Sequence, residues 1–105
     1  MKLIAVFTTV GSIDEARAIA GSLVERKLAA CVQISEIESV YRWNEAVQRE
    51  REFRLLIKTA ADRYSAVEQA IRELHSYELP AIHTLAIESA FEPYAAWVET
   101  NSGGQ

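Results

Sequence analysis

A chain of 105 residues, half of them hydrophobic and a quarter charged, has the length and balance of one globular domain with a single core. Eleven basic against fifteen acidic residues leave a net charge of -4, which argues against nucleic acid or an anionic membrane surface as a partner. The single Cys31 has no partner for an internal disulfide, which fits a reducing compartment, and no stretch reaches the ~20 apolar residues of a membrane span.

Met1 to Phe7 is briefly apolar but shows no small-residue cleavage pattern before Ser12. It reads as a first strand, and the protein is expected in the cytoplasm. Leu3 to Val10 is a continuous apolar run that stops at Gly11, as suits a strand buried on both faces. Ser12 and Glu15 have the spacing of a capping box, with Ser12 as N-cap and Glu15 reaching back. Ala16, Ile19, Ala20, Leu23, Val24 and Leu28 then recur at three and four residues and form one helix face. Arg26 and Lys27 fall in its last turn, where the macrodipole favours cations.

Ala30 to Trp43 reads as one long strand, rich in β-branched and aromatic residues and free of Gly and Pro. Unbroken, it spans roughly 46 Å at ~3.3 Å per residue, whereas helices of ~15 residues cover only ~23 Å. Part of the ribbon must therefore project beyond its own core, with Tyr41 and Trp43 on it, and such an edge calls for cover by another chain. Val32 and Ile34 share one parity, but Ile37, Tyr41 and Trp43 have the other, so a β-bulge near Ser35 and Glu36 is expected. Asn44 and Glu45 make the turn, and Glu52 to Thr59 returns with Phe53, Leu55 and Ile57 alternating. Asp62 is placed as N-cap of a second helix whose apolar face is Tyr64, Val67, Ile71 and Leu74. That helix ends at His75–Pro80, Ala81 to Ser89 forms a last strand, and Pro93 starts a short helix with Tyr94, Trp97 and Val98. Residues 1–100 are read as one domain and 101–105 as a disordered tail. The order allows two split βαβ halves or a ferredoxin-like sandwich with two helices on one sheet face.

Several separated segments, in order, resemble the CutA divalent-cation tolerance family. They are Leu28–Ile34, Ile37–Trp43, Glu52–Thr59, His75–Ile82 and Tyr94–Trp97, and together they cover essentially the whole chain. The resemblance implies an α+β, ferredoxin-like βαββαβ sandwich with an elongated hairpin between the second and third strands and a short C-terminal helix. It further implies a tight homotrimer whose hairpins pair across subunits, and a link to copper and other divalent metals. This chain departs from the family pattern at Asn44 (commonly Gly), Ser76 (usually Pro) and Ala81 (commonly Glu). Thr8, Thr9 and Leu74 stand where some members carry Cys or a second His, so a metal set built from those positions is incomplete.

The candidate site residues are weighed one by one. Cys31 is either a soft Cu(I) ligand or, more simply, a small apolar core residue. His75 is either a metal ligand at an accessible helix end, helped by Glu78 or a neighbouring chain, or a cation favoured by the last carbonyls. His83 has no partner at ligand spacing and reads as surface or interface packing. Tyr94 and Trp97 read as packing that closes the sheet edge. Glu52 and Lys58 share a strand face. With Tyr41, Arg42, Trp43, Tyr77 and Glu78 they form the expected ligand cleft where hairpins meet, Lys58 and Arg42 giving it an anion-binding character. No nucleophile–base arrangement is readable. The expected function is thus a non-enzymatic cytoplasmic homotrimer, without organic cofactor, that takes Cu(II), another divalent cation or a small ligand in inter-subunit clefts. The alternatives are an enzyme acting on a small anionic substrate through Lys58 or His75, and a scaffold trimer that docks another protein.

Overall fold

The computed structural model describes residues 2–103. Four strands, β1 (Leu3–Val10), β2 (Cys31–Trp43), β3 (Ala46–Ala60) and β4 (Ile82–Ile87), form one antiparallel sheet in the order β2-β3-β1-β4. Helices α1 (Ile13–Glu25) and α2 (Tyr64–Leu74) follow β1 and β3, and α3 (Glu92–Asn101) ends the fold. This is the ferredoxin-like α+β sandwich, and the two-half alternative is not adopted.

The main core lies between the sheet and the first two helices. Val6, Val10, Leu55 and Ile57 meet Ala16, Ile19 and Leu23 of α1 and Val67, Ala70 and Ile71 of α2. Helix α3 packs on the opposite sheet face, where Val98 and Ala95 cover Leu3, Ala30 and Ile87. The expected tail starts inside this element. Asn101 is helical, and the buried Ser102 hydroxyl donates to Val98 O (2.7 Å) and accepts from Ala60 N–H (3.3 Å). Residues 104 and 105, the rest of that expected tail, lie outside the described residues.

Strands β2 and β3 pair without interruption from Cys31↔Lys58 to Trp43↔Ala46, so the expected bulge is absent. The change of parity has another cause. Val32 and Ile34 pack toward the helices, which cover only the first part of the ribbon. Beyond Ile34 the helix side carries Glu36, Glu38 and Arg42, while Ile37, Tyr41 and Trp43 look to the other face. The helices cover one face as far as Ile34 and the apolar residues beyond it lie on the other face, so an uninterrupted register serves both. The domain is 45 Å along its longest axis, against 25 and 21 Å across, which is the overhang expected from strand and helix lengths. β2 is an edge strand with no partner on its outer side among the described residues.

Local signals are met in part. Ser12 caps α1 by accepting from Glu15 N–H (3.1 Å), but the Glu15 carboxylate does not reach back. Asp62 makes no cap, because a 3₁₀ turn (Ala61–Arg63) leads into α2 without a side-chain bond at its start. Arg26 and Lys27 lie past the last turn of α1. Leu28 N–H reaches Leu23 O (2.9 Å) and Lys27 N–H reaches Val24 O (3.1 Å), a Schellman closure that puts Lys27 at φ 57°. At the hairpin tip Asn44 and Glu45 have φ of 50° and 62°, the two-residue turn whose twist matches the flanking strands. A glutamate in the left-handed region costs ~1–2 kcal/mol relative to glycine, part of it returned through the freer unfolded chain. Glu45→Gly is therefore expected to raise stability by about 0.5–1 kcal/mol, read as a higher urea midpoint at unchanged slope. A lower midpoint would show that the Glu45 side chain makes a stabilising contact at the tip.

Candidate functional site

The overhanging ribbon and the segment after α2 enclose an open cleft of about 1180 Å³. Its floor is the helix-free face of the hairpin. Residues directly paired in the register share a face, so Ser39, Tyr41 and Trp43 of β2 lie beside Glu50, Gln48 and Ala46 of β3, and Glu52 follows on the same side. Its wall is Tyr77, Glu78, Leu79 and Ala81, with Thr9 and Gly11 at the end of β1.

Two tyrosine–glutamate pairs organise the floor. Tyr77 Oη donates to Glu52 Oε2 at 2.7 Å, and Tyr41 Oη donates to Glu50 Oε1. Glu52 is only 6% exposed, unusual for a carboxylate. A Cβ at Gly11 would stand 3.2 Å from Tyr77 Oη, so the absence of a side chain there lets the phenol pass close to the backbone. Donation to Glu50, then desolvation, pushes the Tyr41 hydroxyl up from 10.0 to about 12. Burial, then the bond to Glu52, pushes Tyr77 up as well. The bond to Glu68 does the same for Tyr64 on α2. The protonated phenol is the form the fold favours, so these pairs stabilise fully below pH ~10 and lose that contribution as pH rises through the folded values. A titration of tyrosinate absorbance should show three residues ionising late, with Tyr41→Phe and Tyr77→Phe each removing one late step. Ordinary ionisation of all tyrosines in the folded protein would mean the pairs are not formed.

The wall is held by a second set of bonds. Glu15 on α1 accepts from Ser76 N–H (2.7 Å) and from Ser76 Oγ (3.0 Å). The His75 ring, its side chain 1% exposed, bonds through Nε2 to Thr9 O (2.8 Å), and Nδ1 accepts from Tyr77 N–H (3.1 Å). The tautomer follows from these partners: Nε2 carries the proton and donates, while Nδ1 supplies its lone pair. The ring lies 4.8 Å from that of Tyr77, and Glu15 Oε2 stands 3.7 Å from Nδ1.

Of the residues expected at the site, Tyr41, Trp43, Glu52, Tyr77 and Glu78 come together. Arg42 does not, since its register partner is Val47 and it projects from the opposite face. Lys58 shares the face of Glu52 but lies ~20 Å further along β3, where its Nζ sits 5.4 Å from the Tyr94 ring centre. Arg42 and Lys58 are thus at opposite ends of one hairpin, and β3 is an inner strand rather than an edge. The accessible ligand expected at His75 is replaced by a buried imidazole with both nitrogens occupied. Among the described residues no cluster of three His, Cys, Asp or Glu side chains is placed to hold a metal ion. Cys31 is unpaired and half-buried beside Lys58. His83 is exposed and stacks on Phe7 at 5.3 Å. Tyr94 and Trp97 stack at 5.7 Å but stay partly exposed, so within one chain they do not close the sheet edge. Glu50 was not anticipated, although its parity with Glu52, two residues on, is the signal that finds it. Glu15 had been assigned only to capping.

A ferredoxin-like sandwich with a projecting hairpin and an aromatic, acidic cleft along the hairpin's helix-free face defines the structural class. The family described as CutA1 divalent ion tolerance protein matches residues 4–101, and the chain belongs to that family. It is 38% identical over 99 residues to the divalent-cation tolerance protein CutA of Thermus thermophilus, covering 93% of this chain and 96% of that one. The solved structure of the Thermus thermophilus protein superposes with a TM-score of 0.93 at 37% identity, over 96% of this chain and 99% of the other. The CutA structure from Archaeoglobus fulgidus, described as a periplasmic divalent cation tolerance protein, gives 0.93 at 31% identity over 95% and 98%.

Proposed function

We propose that this chain works as a homotrimer, without catalysis, and that the cleft between ribbon and wall binds a small ligand where subunits meet. The observation that supports this is the ribbon. β2 leaves an unpaired outer edge beside the exposed Val40, Tyr41, Trp43 and Val47, an arrangement that isolated proteins avoid and that a neighbour's hairpin relieves. Trimer formation also gives Arg42 and Lys58, distant within one chain, a way to meet across subunits. The enzymatic alternative, through Lys58 or His75, is less favoured, because both ring nitrogens of His75 are already bonded and Lys58 lies against Tyr94.

The link to divalent cations is that of the family. His75 does not fit as a ligand, and no other set within the described residues does. We therefore place a divalent cation at exposed carboxylates such as Glu78 that two subunits bring together, a donor type that suits a hard ion such as Mg(II) or Mn(II) better than Cu(II). The unpaired Cys31 supports a reducing, cytoplasmic setting for this chain. Sedimentation equilibrium at micromolar concentration should return three times the 11.8 kDa chain mass. A single-chain mass would remove the inter-subunit cleft and the proposal with it.

A further inference from the structure

We infer that His75 is a proton-driven switch: when its ring takes up a proton, Nδ1 leaves the Tyr77 amide for the Glu15 carboxylate, and the wall loosens from the ribbon. Every contact involved lies inside one chain, around a side chain that is 1% exposed, so the switch does not depend on which surfaces a neighbouring subunit covers. The first observation is the pair of bonds on the ring. Nε2 donates to Thr9 O at 2.8 Å, which leaves Nδ1 as the bare nitrogen that accepts from Tyr77 N–H at 3.1 Å. That second bond exists only for the neutral ring. A protonated imidazole carries N–H on both nitrogens, and Nδ1–H would then face another donor.

The second observation is the group that stands beside the same nitrogen. Glu15 Oε2 is 3.7 Å from Nδ1, too far for a hydrogen bond but within one after a shift of about 1 Å. The carboxylate is held in place by Ser76 N–H (2.7 Å) and Ser76 Oγ (3.0 Å), and its oxygens accept more than one bond each, so Ser76 need not be released. A charge-assisted bond here offsets the cost of a positive charge at an enclosed site. Among the described residues no other charged group is paired with the ring. β1 presents the Thr9 carbonyl, and the Tyr77 ring lies 4.8 Å away with its hydroxyl on Glu52 of β3. Arg72 and Glu73 of α2 are turned to Glu68 and Arg26, His83 of β4 stacks on Phe7, and Glu78 is exposed. The consequence reaches the ribbon through Tyr77. Its amide is held by His75 and its hydroxyl by Glu52, so protonation removes one of the two bonds that fix this residue between α2 and β3.

The test is amide hydrogen exchange, read by NMR on the isotope-labelled full chain in its native assembly at about pH 8 and about pH 5, and corrected for the intrinsic exchange rate. Tyr77 N–H is expected to lose protection about tenfold or more at the lower pH, while Ser76 N–H, bonded to Glu15, keeps its own. Val6 in the core should stay protected, which separates a local change from unfolding. His75→Gln retains a donor and an acceptor but takes up no proton, and should keep Tyr77 protected at both values. Glu15→Gln removes the charge that receives Nδ1–H and should move the loss lower by about one pH unit or more. His83→Gln, at the exposed ring, should change nothing. Equal protection of Tyr77 at both values, or a loss that persists in His75→Gln, overturns the switch. A loss shared by Val6 overturns it too, since acid then unfolds the chain. A loss unmoved by Glu15→Gln overturns the exchange of partners.

Discussion

Replacing His75 with alanine is expected to cost about 2–4 kcal/mol of stability and to leave Cu(II) binding unchanged. The imidazole joins the end of β1 to the start of the cleft wall, with Nε2 on Thr9 O and Nδ1 on Tyr77 N–H. Truncation leaves a carbonyl and an amide without partners in a part-buried position, each costing ~1–3 kcal/mol when it cannot reach water. It also opens a cavity beside the Tyr77 ring. A metal ligand behaves in the opposite way, since removing it abolishes binding and relieves the fold of an unused polar group. Urea unfolding and calorimetric titration of Cu(II), run on wild type, His75→Ala and His75→Gln, separate the two. Glutamine retains a donor and an acceptor and should recover part of the lost stability. Loss of Cu(II) binding at unchanged stability would return His75 to the role of ligand.

The elements were legible where one physical demand governs a segment. Leu3 to Val10 carries apolar residues on both faces because α1 and α2 cover one face of β1 and α3 part of the other, and the strand has the limits its run of strand-forming residues implies. The ribbon was legible in length but not in register. Its change of parity implied a bulge only on the assumption that one surface is buried from end to end, whereas the helices stop near Ile34 and the cleft takes over on the other side. Ala46 to Arg51 escaped notice because Gln48 to Arg51 is polar and charged. That segment is a strand through its pairing with β2 rather than through any preference of its own.

The site follows the same division. Tyr41, Trp43 and Glu52 could be grouped, since alternation along a strand and pairing across a hairpin are local rules. Arg42 was misplaced although its parity already opposed that of Tyr41 and Trp43. His75 was misread for a different reason. Its partner Thr9 lies 66 residues away in sequence, and whether a helix-end histidine is open or enclosed is decided by how the following loop turns back over β1. Glu15 is the same case, a capping residue by spacing that the assembled fold turns toward Ser76.

Trp43→Ala is expected to lower the thermal midpoint by roughly 12–40 °C and to make it depend on protein concentration. In the single chain Trp43 is 43% exposed near the hairpin tip, where truncation of a surface side chain changes stability by no more than ~0.5 kcal/mol. If a neighbouring subunit covers it, the loss is that of a buried tryptophan, ~3–5 kcal/mol. For a domain of this size 1 kcal/mol moves the midpoint by ~4–8 °C, so the two cases differ well beyond measurement error. Concentration dependence follows from mass action, because an assembly weakened at its interface begins to dissociate before it unfolds. Calorimetric scans of wild type and Trp43→Ala over a hundredfold range of concentration, paired with sedimentation of the same samples, read both effects. A midpoint within about 4 °C of wild type at every concentration would place Trp43 outside any interface, as the ~0.5 kcal/mol of an exposed side chain predicts. The ribbon would then need another occupant for its free edge.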